Sequence, residues 1–127
     1  MRYTTTIVKG KGRGQRVVGF PTFNLKIPET FDLPHGVYAC TVWFDNKQYA
    51  GALHYGPTPT FDDQAPTLEI FVLDYAPAPK DERPSELIFE PGLRLRPVAT
   101  FLSASQLHDQ IENDIQRIRR SAATPAY

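Results

Sequence analysis

The chain has 127 residues, including 12 prolines and 8 glycines, and its 14 basic and 14 acidic residues give a formal net charge of zero at pH 7. This length predicts a single domain over 1–127, and the balanced charge excludes a polycation that binds nucleic acid. One cysteine, no signal-peptide core and no apolar run near the roughly 20 residues of a membrane span argue against disulfides, secretion and membrane insertion, so we expect a cytoplasmic protein.

Most predicted elements are short strands. The β-branched segment 3–9 predicts a first strand, and 17–25 predicts extended chain after a glycine-rich loop. A tight turn at 45–47 joins predicted strands 37–44 and 48–55 into a hairpin. The remaining predictions are a loop at 56–66, a strand at 67–75, a proline-rich loop at 76–85, and short strands at 86–90 and 93–97 around a turn at Pro91-Gly92.

The last segment has helical periodicity. Apolar residues recur on one face of a predicted helix over about 103–120, and Ser103 and Gln106 have capping-box spacing. Strands followed by one helix predict an all-β fold with a C-terminal helix, and closure of about six antiparallel strands into a small barrel would remove the sheet edges. The polar outer face of the helix favours a monomer.

The segment GKGRG at 10–14 is the first candidate for binding chemistry. Gly10, Gly12 and Gly14 allow the backbone to approach a ligand closely, and Arg13 adds positive charge. The segment fits neither a Walker A motif nor a dinucleotide fingerprint. It therefore predicts an anion-binding loop, with a glycine-rich hairpin loop that carries solvated charges as the alternative.

Three further side chains carry oxygen atoms suited to binding a metal ion or accepting a proton. Thr22 and Asn24 follow Pro21 and share a face of extended chain, where their oxygen atoms suit Mg²⁺ held together with nucleotide phosphates. The alternative is an edge strand whose polar residues face water. Glu69 shares a predicted strand face with Phe71, and a carboxylate on so apolar a face is either a general base or the partner of an arginine at a barrel rim. The three histidines match no metal motif, and we interpret them as structural.

These residues resemble the riboflavin kinase family. GKGRGQRVVGFPTFNL is similar to the family's glycine/arginine loop followed by G-F-P-T-x-N, and PHGVYA at 34–39 is similar to its P-x-G-V-Y segment. The segment 51–61 resembles G-x-x-x-x-G-x-x-P-T-F, and TLEIFVLDY at 67–75 resembles the strand that carries the family's catalytic glutamate. Leu95-Arg96, Phe101 and the helix resemble the closing elements, so the similarity extends over nearly the whole chain.

The resemblance implies a six-stranded Greek-key barrel that uses ATP and Mg²⁺ to phosphorylate the ribityl 5′-hydroxyl of riboflavin, giving FMN and ADP. It assigns Glu69 as the base and Thr22 and Asn24 as ligands of Mg²⁺ and nucleotide. Many bacterial relatives add an FMN adenylyltransferase, for which this chain has no motif, so the resemblance implies the kinase alone. The implied nucleotide-binding set is Gly10, Gly12, Arg13, Gly14, Pro21, Thr22 and Asn24, and the implied flavin-binding residues are Arg96 and Phe101.

The chain departs from the family mainly at positions that we expect to lie near the bound flavin. His54 and Thr58 replace a usual asparagine and arginine, in positions that we expect to lie in loops, and 76–85 replaces a D-L-Y-G stretch. The charged residues usual after Leu95-Arg96 are replaced by 97–100. The alternative hypothesis is therefore a catalytically degenerate barrel that binds flavin or nucleotide in a regulatory role, and a third is a barrel used for protein contacts.

Overall fold

Six antiparallel strands and one helix make up the regular secondary structure of the described residues of this computed structural model, which are 1–8, 22–58, 63–75, 84–99 and 103–123. The elements are β1 (Tyr3–Val8), β2 (Thr22–Leu25), β3 (Gly36–Phe44), β4 (Lys47–Thr58), β5 (Asp63–Val72), β6 (Glu86–Arg96) and α1 (Ala104–Ala123).

The strands close into a barrel in the order β1-β2-β5-β4-β3-β6. Strands β3, β4 and β5 form a meander, and β6 returns to lie beside β3, which is a Greek key. β1 closes the barrel by pairing with both β6 and β2, and its Tyr3 lies opposite Phe89. The predicted fold class, a six-stranded antiparallel barrel with a C-terminal helix, is confirmed.

Alternating side chains fill the barrel interior. Along β3, every second residue from Tyr38 to Phe44 is buried, as expected for a strand with one face on the core. The most enclosed side chains come from different strands, and their burial is the main apolar contribution to stability. They are Val42, Leu53, Leu68, Ile70 and Phe89.

The helix covers part of the outer surface of the barrel. Ile118 packs with Val37, Leu73 and Leu95, so the apolar face of α1 lies against the outer face of the sheet. The Ser103 hydroxyl oxygen accepts a hydrogen bond of 3.2 Å from the Gln106 N–H, which confirms one half of the predicted cap. Among the described residues, no helix is long and apolar enough to cross a membrane.

The local turn predictions had different outcomes. The 45–47 hairpin is confirmed, because Asp45 and Asn46 have φ of 52° and 60°, as a tight hairpin turn requires. The predicted turn at Pro91-Gly92 is wrong: β6 runs continuously through it, with its register against β3 shifted around Cys40 and Pro91. Proline is tolerated in sheets at such irregularities. The predicted loop at 56–66 is shorter than expected, since β4 continues to Thr58 and β5 begins at Asp63.

Candidate active site

A row of polar side chains crosses the outer face of the barrel on three neighbouring strands. Asn24 of β2 lies directly opposite Glu69 of β5, and Glu69 lies directly opposite His54 of β4. Residues in register on adjacent strands share a face and have Cβ atoms roughly 4.5–5.5 Å apart. The row continues through Val37 of β3 to Arg96 of β6. We call Asn24, Glu69 and His54 the polar row.

The two oxygen donors predicted on β2 lie on the same face. Thr22 pairs with Phe71 and Asn24 with Glu69, and these partners are two residues apart on β5. Phe23, between them, points inward, where its ring lies 5.6 Å from that of Phe44. The geometric part of the prediction is therefore confirmed. The donor set suits Mg²⁺, which takes one or two protein oxygen ligands and completes its shell with water and phosphate.

Glu69 lies on the face of β5 that the alternation predicted. Its strand neighbours Leu68 and Ile70 point into the core and are almost completely buried, whereas Glu69 and Phe71 are half-buried on the outside. Phe71 packs against the apolar cluster beneath the helix. The carboxylate of Glu69 therefore lies at the border between the surface covered by α1 and the polar row. Its role as a base stays a prediction.

His54 lies inside β4, next to Glu69, as the predicted strand over 48–55 placed it. The separate expectation that this departure from the family lies in a loop is wrong. Burial, and then the nearby Arg96 guanidinium, lower the pKa of His54 to about 4. Its Nδ1 atom is enclosed and has no hydrogen-bond partner in the part of the chain that the structure describes. Thr58, the other departure, also lies in β4, as its last residue.

Sequence reasoning missed His54 because it considered only metal ligation for the histidines. One signal was available, since the hairpin register places His54 opposite Val37 and on the outer face. Its position beside Glu69 depends on the pairing of β4 with β5, which the residues of the hairpin do not specify.

Arg96, one of the two predicted flavin-binding residues, is held by the helix. Its Nη2 and Nε atoms donate hydrogen bonds of 2.9 to 3.2 Å to the carboxylate of Asp114, which is 2% exposed. Its Nη1 donates to the Pro97 carbonyl oxygen at 3.2 Å. These contacts join α1 to β6 at the end of the row. Flavin binding by Arg96 stays a prediction.

The other predicted site residues lie outside the described residues. These are Gly10, Gly12, Arg13, Gly14 and Pro21 of the nucleotide set and Phe101 of the flavin set. The structure therefore brings together Thr22, Asn24 and Glu69 from two segments of the chain and adds His54 to them.

Comparison with known proteins identifies the family that shares these features. The model of the Flavokinase family, described as riboflavin kinase, matches residues 1–122. The trifunctional protein RibF/MnmA of Mycoplasmoides gallisepticum is 33% identical over 110 residues, which are 86% of this chain and 16% of that protein. The riboflavin kinase of Aspergillus niger is 25% identical over an alignment that covers all of this chain and 72% of that protein.

A solved structure has the same fold. The crystal structure of a protein described as a macrolide-efflux protein, from Streptococcus pneumoniae, superposes with a TM-score of 0.77 and 27% identity. The match covers 93% of this chain and 38% of that one. The chain thus spans well under half of that protein and about a sixth of the Mycoplasmoides relative.

Proposed function

Because the chain belongs to the riboflavin kinase family, we propose that it transfers the γ-phosphoryl group of ATP to the ribityl 5′-hydroxyl of riboflavin, giving FMN and ADP. The observation that carries this proposal is the register of Asn24 with Glu69 on one outward face, with Thr22 two residues before Asn24. This arrangement puts ligands for a nucleotide-bound cation beside a carboxylate that can accept a proton.

Glu69 is the general base of the proposed reaction. The alcohol oxygen forms a bond to the γ-phosphorus, its proton passes to the Glu69 carboxylate, and the bond to the bridging oxygen breaks with its electron pair leaving on ADP. A base must lie within hydrogen-bond reach of the proton that it removes. Glu69 is half-buried on the outward face of β5, at the border of the surface covered by the helix, and we propose that the alcohol approaches it there.

Thr22 and Asn24 hold the nucleotide end of the site. Their hydroxyl and carboxamide oxygens are hard donors, and the rigid pairing of β2 with β5 keeps them in register with Glu69. Mg²⁺ bound there with the phosphates would supply charge neutralisation for the transferred group. The glycine segment with Gly12, Arg13 and Gly14 would add backbone N–H groups and positive charge over the phosphates.

Riboflavin then occupies the side of Glu69 away from β2. That side contains His54 and, at the end of the row, Arg96. Since the donors of Arg96 are engaged by Asp114 and Pro97, we propose that Arg96 shapes the flavin site through the position of the helix. The proposed unit is a monomeric single domain.

The test is FMN formation from riboflavin and MgATP, separated by chromatography and detected by fluorescence. Glu69→Gln keeps the shape of the side chain and removes the base, so we expect turnover to fall by roughly 100-fold or more. Glu86→Gln is the matched control, because Glu86 is an exposed carboxylate on another strand of the same barrel. Equal rates for the two variants would contradict the role of Glu69.

The second candidate function is a barrel that binds flavin or nucleotide without turnover. The observation that favours it is the replacement of a usual asparagine by His54 directly beside Glu69. Quenching of riboflavin fluorescence by the protein, with no FMN formed when Mg²⁺ and ATP are present, would support this function and reject the kinase proposal.

A further inference from the structure

His54 occupies the position next to Glu69 on the side away from the nucleotide ligands. Within the described strands, Glu69 has two in-register neighbours, Asn24 on β2 and His54 on β4. If Asn24 faces the nucleotide, the alcohol that gives its proton to Glu69 approaches from the side of His54. Such an approach of the alcohol rests on the proposed kinase function.

The surroundings of His54 determine which ring nitrogen carries the proton. Nδ1 is enclosed and has no partner in the described part of the chain. Burial lowers the pKa of the His54 ring and the His54 backbone partly opposes this, but Nδ1 makes no hydrogen bond of normal geometry with that backbone. A buried N–H group without a partner costs free energy, so we infer that Nδ1 carries the lone pair of the neutral ring. In a neutral imidazole the proton then resides on Nε2, which becomes a hydrogen-bond donor.

The ring is uncharged at neutral pH. Burial and the guanidinium of Arg96 hold the pKa of His54 at about 4. Arg96 is itself fixed by its ion pair with Asp114, whose carboxylate is 2.9 Å from Nη2, so its charge remains close to the ring. His54 is therefore a neutral single donor beside Glu69, which as a carboxylate is an acceptor only.

We propose that the Nε2–H group of His54 donates a hydrogen bond to the oxygen of the riboflavin 5′-hydroxyl whose proton Glu69 accepts. A hydroxyl has one proton and two lone pairs. With its proton directed to Glu69 and one lone pair held by His54, the remaining lone pair points at the γ-phosphorus. Orientation of this kind is a main source of rate enhancement in phosphoryl transfer.

The kinetic test compares three replacements of His54. His54→Leu removes the donor at similar bulk, whereas His54→Asn and His54→Gln keep an N–H donor of different reach. We expect kcat/KM for riboflavin to fall roughly tenfold in His54→Leu and less than about threefold in the better amide variant, with the KM for ATP unchanged. His108→Leu, at a half-buried histidine of the helix away from the polar row, is the matched control and should behave as wild type.

The spectroscopic test uses the unmodified protein, so it does not depend on the folding of a variant. The three histidines are labelled with ¹⁵N, and their ring nitrogens are observed by NMR near pH 7 with and without riboflavin. We expect His54 to be the neutral Nε2–H tautomer, with its Nε2 resonance shifted by riboflavin and that of His108, on the helix, unmoved. A protonated ring, an Nδ1–H tautomer or no shift on saturation with riboflavin would overturn the inference.

The two proposals fail in different ways. Wild-type protein that forms no FMN rejects the kinase function, and this inference with it. Wild-type protein that forms FMN at the same rate as folded His54→Leu rejects the role of His54 and leaves the kinase function standing.

Discussion

Replacing Asp114 by alanine should be among the most destabilising single changes on the helix. The Asp114 carboxylate accepts three hydrogen bonds from Arg96, at 2.9, 3.1 and 3.2 Å, and one from Gln110 at 3.0 Å. The side chains of Asp114 and Arg96 are only 3% and 15% exposed, so water screens the pair weakly. Removing one partner of a buried pair costs about 3–5 kcal/mol, because it leaves an uncompensated charge.

Urea unfolding measures this loss. A domain of this size typically has about 5–15 kcal/mol of stability, so the variant should unfold at a clearly lower urea concentration, monitored by Trp43 fluorescence and circular dichroism. Asp109→Ala, at an exposed carboxylate of the same helix, is the control and should change stability by less than about 0.5 kcal/mol.

A double variant separates the charge effect from lost packing. Arg96→Met with Asp114→Leu replaces the pair by apolar side chains of similar volume, and it should recover most of the stability lost in Asp114→Ala. A loss below about 1 kcal/mol in Asp114→Ala, or a double variant no more stable than the single one, would refute the reasoning.

Three further predictions follow from burial and close packing. The pKa of His54 is about 4 in the folded state, below its ordinary value of 6.5. Between these two pH values the unfolded state therefore binds one more proton than the folded state. The free energy of unfolding should therefore fall by at most about 3 kcal/mol as pH drops from about 6.5 to 4. Urea unfolding measured at several pH values checks this, and His54→Leu should lack this part of the pH dependence. Gly51→Val should cost about 1–3 kcal/mol of unfolding free energy, because a Cβ atom there would lie 2.9 Å from the Ile70 Cγ2 atom; an unchanged urea midpoint would contradict this. Burial raises the pKa of Cys40 to about 12, so its thiol should resist a disulfide reagent at pH 8 in the native protein and react after unfolding; rapid native labelling would show that the site opens.

Features that depend on neighbouring residues were predictable from the sequence. The Asp45-Asn46 turn and the two faces of β5 follow from local preferences and from the two-residue period of a strand. For the same reason Thr22 and Asn24 could be placed on one face before any partner strand was known.

Features that depend on pairing between distant segments were not predictable. Pro91-Gly92 has the composition of a turn, but pairing with β3 on both sides keeps β6 extended through it. The position of His54 beside Glu69 needs the register of β4 against β5, which neither strand specifies by its own sequence. The roles of the site residues also depend on ligands, so they stay proposals.

The pairing of β1 with β6, which closes the barrel, has a consequence for the synthesis of the protein. Tyr3, near the first residue of the chain, lies opposite Phe89, and their rings stack with centroids 5.2 Å apart. During translation β1 can pair early with β2, but its other edge has no partner until β6, the last strand of the barrel, has left the ribosome. Until then that edge is exposed, and an unpaired strand edge is prone to aggregation. We therefore expect the nascent barrel to be most prone to aggregation in the interval before β6 has emerged.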